Sequence, residues 1–242
     1  MLNEFIVIVT LASLFSLTGT MIGASVGIII KNPSKKLIGN INAFAAGLML
    51  SIVMFDLIPE AVTNINFLSS ILLSFIGVLI IVIIDIISGN KEMFNTSHGK
   101  VAFMAAVGLM IHNFPEGIIM GAGFLASGSL GIKMSLLIAI HDIPEGIAVS
   151  APLMAAKIRS YKIMIYAFIT ALPTVIGGWI GAYIGNISSN LLGACLSITS
   201  GIMLYVIFGE MLPEALELWK GRSITFNIFF GIILGLVITN LL

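Results

Sequence analysis

The sequence predicts an all-α fold of the polytopic membrane class, a bundle of eight transmembrane helices built around an inverted internal repeat. Three observations predict it. Hydrophobic residues make up 59% of the 242-residue chain and charged residues only 9%, against roughly 25% charged in soluble domains, and the mean hydropathy is +1.16. The apolar residues gather into segments of about the 20 residues a helix needs to cross hydrocarbon. Segments early in the chain also match segments late in the chain, residue for residue.

Spans are expected near residues 4 to 30, 37 to 60, 66 to 88, 101 to 125, 131 to 156, 162 to 185, 190 to 214 and 223 to 242, so that residues 1–242 form a single transmembrane domain. Span one follows Glu4 with no Lys or Arg before it and runs on to Ile30, which is wrong for a cleavable signal peptide. Span two closes on Asp56, Pro59 and Glu60, and span seven on Glu210, Pro213 and Glu214; both prolines are expected to kink or end their helices. Span three carries Asp85 near its inner end, an interfacial position. Spans one and six carry glycine ladders suited to close packing or to a smooth sliding face.

Basic residues set the orientation. Lys31, Lys35, Lys36, Lys91, Lys100, Lys157, Arg159, Lys162, Lys220 and Arg222 fall after spans one, three, five and seven, and only Lys133 falls on the other side. The positive-inside rule then directs both termini outward in a multi-pass protein of the cell membrane. Eleven basic and eleven acidic residues balance, leaving no nucleic-acid footprint. Cys195 stands alone, which excludes an intrachain disulfide or a thiolate metal cluster.

The repeat is explicit. Spans two and seven align at an offset of 154, pairing Gly39 with Gly193, Gly47 with Gly201, Met49 with Met203, Asp56 with Glu210 and Pro59-Glu60-Ala61 with Pro213-Glu214-Ala215. Spans one and six match at an offset of 158 through Gly19, Gly23, Gly27 and Gly177, Gly181, Gly185. Matched spans lie five helices apart and run oppositely, the pattern of transporters whose substrate site lies near a two-fold axis in the membrane plane.

The chemistry lies in spans four and five. His112-Asn113-Phe114-Pro115-Glu116-Gly117 recurs 29 positions later as His141-Asp142-Ile143-Pro144-Glu145-Gly146, each copy mid-span where ionisable groups are most costly. His112 and Glu116, like His141 and Glu145, are four residues apart and share a helix face. Packed antiparallel, the two helices bring both imidazoles and both glutamates together, with Asn113 and Asp142 beside them. Neutral imidazole and carboxylate oxygen suit zinc and neighbouring divalent metals. Three carboxylates exceed one dication's charge, so a second ion or a proton could be shared. Pro115 and Pro144 take the helical partner from the carbonyls of Ile111 and Ile140 and loosen the turn.

A solitary intramembrane His or Glu is often a packed bundle residue, but repetition of the whole motif at matched depth tells against that. Asp56, Glu60, Glu210 and Glu214 are placed as way-stations for a cation, though helix ends also tolerate solvated carboxylates. Most methionines read as core filler, with Met49 the exception as a soft donor beside the site. His98 reads as a solvated loop residue.

These motifs, with the DLIPEA and EMLPEA segments, resemble the ZIP family of divalent-metal transporters (Zrt-, Irt-like proteins), in particular its bacterial ZupT and GufA type. The resemblance covers the whole chain. It implies uptake of zinc, with iron, manganese, cobalt or cadmium as further cargo, and no organic cofactor. It implies one ion held by His112, Glu116, His141 and Glu145 and a second by Asn113, Glu116, Asp142 and Glu145, together with an elevator-like motion and a homodimer in the bilayer. Two departures stand out. The family's glutamate before a proline in span six is replaced in Ala171-Leu172-Pro173-Thr174, leaving the second ion weak or absent, and the usual histidine-rich loop offers only His98. Two other classes of function fit the residues: a membrane metalloenzyme using metal-bound water, disfavoured because no serine or cysteine nucleophile adjoins the motif, and a passive metal-selective channel.

Overall fold

A computed structural model describes residues 2–30, 34–89, 97–155, 158–185 and 188–241. Lys31, Lys91 and Lys157 lie outside the described residues, as do the side chains of Asp85, His98, Lys100, His112 and Pro144. The architecture is all-helical, with no strand among the described residues. The helices are α1 (Leu2–Ile30), α2 (Lys35–Ile52), α3 (Ile58–Asn64), α4 (Phe67–Gly89), α5 (Ser97–Ala126), α6 (Gly128–Ala155), α7 (Ser160–Gly185), α8 (Ser189–Tyr205), α9 (Leu212–Leu218) and α10 (Ser223–Leu241). Five helical stretches among the described residues are long and apolar enough to cross a membrane: Glu4–Ile30, Lys35–Asn64, Ser160–Ile184, Ser189–Leu218 and Ser223–Asn240. The chain is a multi-pass helical membrane protein.

Polar side chains punctuate the helices. Ser34 Oγ accepts from the Leu37 amide at the start of α2, and Ser188 Oγ accepts from the Leu191 amide at the start of α8, both at 3.1 Å. Each satisfies one of the orphan amides of a first turn. Asn66 Oδ1 does the same for Ser69 ahead of α4. α5 and α6 are joined through Ser127 alone, whose hydroxyl accepts from the Leu130 amide. So short a joint forces the two motif-bearing helices to lie antiparallel and adjacent.

Of the kink or end expected at Pro59 and Pro213, the end does not occur. Pro59 and Pro213 neither end nor break their rods, which continue to Asn64 and Leu218. Each follows a π-helical turn, Val53–Leu57 and Val206–Met211. There the Ile58 amide bonds to the Val53 carbonyl and the Leu212 amide to the Ile207 carbonyl, five residues back. The wider turn moves the carbonyl that the pyrrolidine ring would otherwise strike, so the helix absorbs the proline. Pro115 and Pro173 likewise sit inside uninterrupted helices. His98 falls in the first turn of α5 and not in a loop.

Glycines fix how the helices meet. A Cβ on Gly23 of α1 would lie 2.0 Å from the Ile143 carbonyl oxygen of α6, and one on Gly177 of α7 would lie 2.2 Å from the Phe114 carbonyl oxygen of α5. Backbone contact of this kind is open only to glycine, and it draws helices together where apolar lipid offers no hydrophobic drive. Gly146 of α6 meets the Thr20 carbonyl of α1 in the same way, and Gly117 of α5 meets the Thr174 carbonyl of α7.

The main helix pairs are α5 with α7, α1 with α6, α2 with α10 and α4 with α8. The largest buried core joins α2, α5, α6 and α8 around Leu48, Met120, Leu137 and Leu196. Phenylalanines and aliphatic residues face outward along α4 and α10, as a hydrocarbon solvent permits.

Candidate metal centre

Three ligands converge at mid-depth of the α5–α6 pair. Glu116 and His141 are fully buried and Glu145 is 7% exposed. His141 Nε2 lies 2.8 Å from Glu145 Oε1 and 3.4 Å from Glu116 Oε1, and one ligand atom from each residue falls within 4.8 Å of the others. Sequence spacing explains the meeting. Glu116 is eleven residues before Ser127 and His141 fourteen after it, about 17 and 21 Å from the joint at 1.5 Å per residue. Side chains tilt toward their helix N-terminus, so Glu116 leans away from the joint, while His141 and Glu145 lean toward it. The tilts close the gap.

The spacing fits a small cation. Two ligand atoms each ~2.1 Å from a tetrahedral zinc ion are about 3.4 Å apart. The His141–Glu116 separation already has that value, and the His141–Glu145 hydrogen bond would open by roughly 0.6 Å to admit the ion. The imidazole nitrogen that bridges the two carboxylates is the atom that would face a metal.

Beside this group the motif partners are held by neighbouring helices. Asp142 on α6, 2% exposed, accepts a hydrogen bond through Oδ2 from Ser16 Oγ on α1. Asn113 on α5, 1% exposed, donates from Nδ2 to the Thr170 carbonyl on α7 at 2.8 Å, and its buried Oδ1 has no hydrogen-bond partner among the described residues. Ser16 and Thr170 were missed in the sequence. Their signal was a polar stripe at helical spacing within an apolar span, Ser13, Ser16 and Thr20 on α1 and Thr170 and Thr174 on α7, all buried.

Among the described residues, the clustered ligand atoms include none from Asp56, Glu60, Glu210 or Glu214. Met49 is buried in the core with Met120, Met134 and Met203. Asp56 sits half-buried in the first π turn, its shielded Oδ2 lacking a hydrogen-bond partner among the described residues. Glu60 is half-buried and accepts from Asn64 Nδ2 at 2.9 Å. Glu210 and Glu214 are exposed. The fourth expected ligand, His112, belongs to the α5 backbone, but its side chain lies outside the described residues.

Fold and site together define a class: multi-pass helical membrane proteins with a buried imidazole and carboxylate centre sized for a divalent cation. The family profile described as ZIP Zinc transporter matches residues 90–242. The chain belongs to this ZIP zinc transporter family, as the paired motifs implied. It is similar to the zinc transporter ZupT of Streptococcus mutans serotype c, 30% identical over 237 residues that cover 89% of this chain and 90% of that protein. The zinc transporter ZTP29 of Arabidopsis thaliana is 29% identical over 237 residues, covering 88% and 86%. The zinc transporter GufA of Myxococcus xanthus is 36% identical over 138 residues, covering 57% and 54%.

Proposed function

We propose that this chain carries divalent metal ions, zinc foremost, across the cell membrane toward the cytoplasm by exposing one intramembrane centre to each side in turn. The observation that carries the reading is the convergence of Glu116, His141 and Glu145, buried and at zinc-ligand spacing. The relatives are named as transporters, which sets aside the membrane hydrolase. His112 completes the first ion's ligands, and Asn113 and Asp142 contribute to a second ion that lacks a span-six glutamate.

Residues 1–242 act as one domain of eight spans, with α2–α3 and α8–α9 each counted as a single rod. An inverted repeat is supported by the pairing of helices. Under exchange of spans one to three with six to eight, and four with five, the α5–α7 pair becomes α6–α1, and α2–α10 becomes α8–α4. The N-caps Ser34 and Ser188 exchange under the same offset of 154. Basic-residue placement supports outward termini, and the family resemblance supports a homodimer. Asp56, Glu60, Glu210 and Glu214 pass the ion between centre and water, and Met49 softens the preference for metal.

The test is zinc uptake by purified protein in proteoliposomes. His141→Ala is expected to abolish zinc-dependent uptake while the protein stays monodisperse. Undiminished flux would reject the reading. Counterflow of labelled zinc against unlabelled zinc is expected of a carrier, and large ohmic zinc currents without it would instead establish the channel.

A further inference from the structure

A crevice of about 470 Å³ opens between α2, α6 and α10, outside the metal centre. Its walls are apolar: Leu37 and Phe44 from α2, Ile140, Ile143 and Ile147 from α6, and Phe230 from α10. Two polar residues interrupt them, Asn40 and Asn227, joined by a 3.1 Å hydrogen bond from Asn227 Nδ2 to Asn40 Oδ1. From Leu37 to Phe44 the crevice descends seven residues, about 10 Å along the helix. At its foot are Ile140 and Ile143, which flank His141 and Asp142 in sequence.

The rim is cationic. Lys35 and Lys36 begin α2 one turn above Asn40, and Lys220 and Arg222 lie in the connection just above Asn227; all four are exposed. The two groups are brought together by Trp219, whose ring lies 5.2 Å from Lys36 Nζ and whose indole donates to Ser223 Oγ at 3.1 Å. Gly39 packs against Leu218 and Trp219, which draws the start of α2 against the end of α9. Residues 34–44 and 219–230 hold no acidic side chain, and Glu214 and Glu217 on the adjoining α9 set two negative charges against these four cations.

Four cations at the starts of α2 and α10 with a tryptophan between them, an amide pair one turn deeper and an apolar crevice lined from there are ordered as a phospholipid is ordered. We infer that an anionic glycerophospholipid seats here, its phosphate among Lys35, Lys36, Lys220 and Arg222, its ester region at Asn40 and Asn227, and one acyl chain against Ile143. Basic pockets between membrane helices take anionic headgroups in this way. The acyl chain would press on the back of the metal-binding turn of α6, coupling lipid composition to the centre. The inference needs the chain to lie in a bilayer and is independent of what it transports, so lipid binding is measured with no metal present.

The protein is reconstituted in nanodiscs of equal phosphatidylglycerol and phosphatidylcholine, and retained lipid is identified by native mass spectrometry. Wild type is expected to keep one phosphatidylglycerol in at least fivefold preference to phosphatidylcholine. The exposed triple variant Lys36→Gln, Lys220→Gln, Arg222→Gln is expected to lose the preference. Leu37→Trp, at the exposed lip of the crevice, is expected to lose the bound lipid of either kind; Ile143→Phe, deeper in the wall, provides the same test. No preference in wild type, or a preference untouched by the glutamines, would overturn the inference. Undiminished phosphatidylglycerol in both crevice variants would show a headgroup patch without a seated chain and would overturn it equally.

Discussion

Glu116→Gln separates a transported-ion centre from a structural ion pair, because the two demand opposite changes. Glutamine keeps the shape and one oxygen acceptor but removes the charge. The gross attraction between a dication and a carboxylate oxygen ~2.1 Å away is on the order of 16 kcal/mol at an effective dielectric near 20, and desolvation takes back several kcal/mol per ion. A net loss of only about 3 kcal/mol is already more than a hundredfold in affinity. The metal-free protein is affected far less. Glu145 still holds His141 through the 2.8 Å contact, and the 3.4 Å contact of Glu116 is the longer of the two, so the expected cost is under about 1 kcal/mol. The assay is thermal unfolding of purified protein with and without zinc. At one hundred times Kd, zinc stabilises wild type by about 2.7 kcal/mol, a rise of roughly 5–10 °C for a chain of this size. In Glu116→Gln that rise disappears at the same zinc concentration while the metal-free midpoint stays within a few degrees. Were the cluster a buried ion pair alone, loss of one partner would cost about 3–5 kcal/mol without metal. A metal-free midpoint lowered by about 10 °C or more, with the zinc-dependent rise intact, would refute the metal centre.

Ser16→Ala removes the donor that Asp142 accepts from. A stability loss of about 1–3 kcal/mol in thermal unfolding is expected, and an unchanged midpoint would mean that the α1–α6 attachment carries no load. Gly146→Ala places a Cβ 2.1 Å from the Thr20 carbonyl oxygen, whereas Gly128→Ala meets nothing within 4 Å. The first is expected to cost about 1–3 kcal/mol or more and the second to be neutral; equal midpoints would contradict the close α1–α6 backbone contact. Pro59→Ala restores an amide after the first π turn, letting it relax to α-helix and rotate Glu60 by about 100°, one residue's share of a turn. Zinc uptake is expected to fall with stability held or raised, and unaltered uptake would show that the π turn does not serve transport.

The sequence alone determined the class, the helices and the motif. A bilayer leaves the backbone only helices or closed barrels, so apolar length translates directly into helices, and the expected ends fell within a few residues of those in the structure. His141 and Glu145 on one face of α6 follow from the 3.6-residue period, and their nearness to Glu116 from the short joint at Ser127. Tertiary structure decided what periodicity leaves degenerate. A glycine ladder that repeats every four residues fits its neighbour at several registers, and only the folded helices set Gly23 against the Ile143 carbonyl and Gly177 against the Phe114 carbonyl. Proline chemistry predicted a kink or an end at Pro59 and Pro213, and the fold continues each rod through a π turn. Ser16 and Thr170 lie far from the motif in sequence, and only the folding of α1 onto α6 and of α7 onto α5 makes them the partners of Asp142 and Asn113. Such pairings depend on where whole helices settle against one another, which local spacing does not encode.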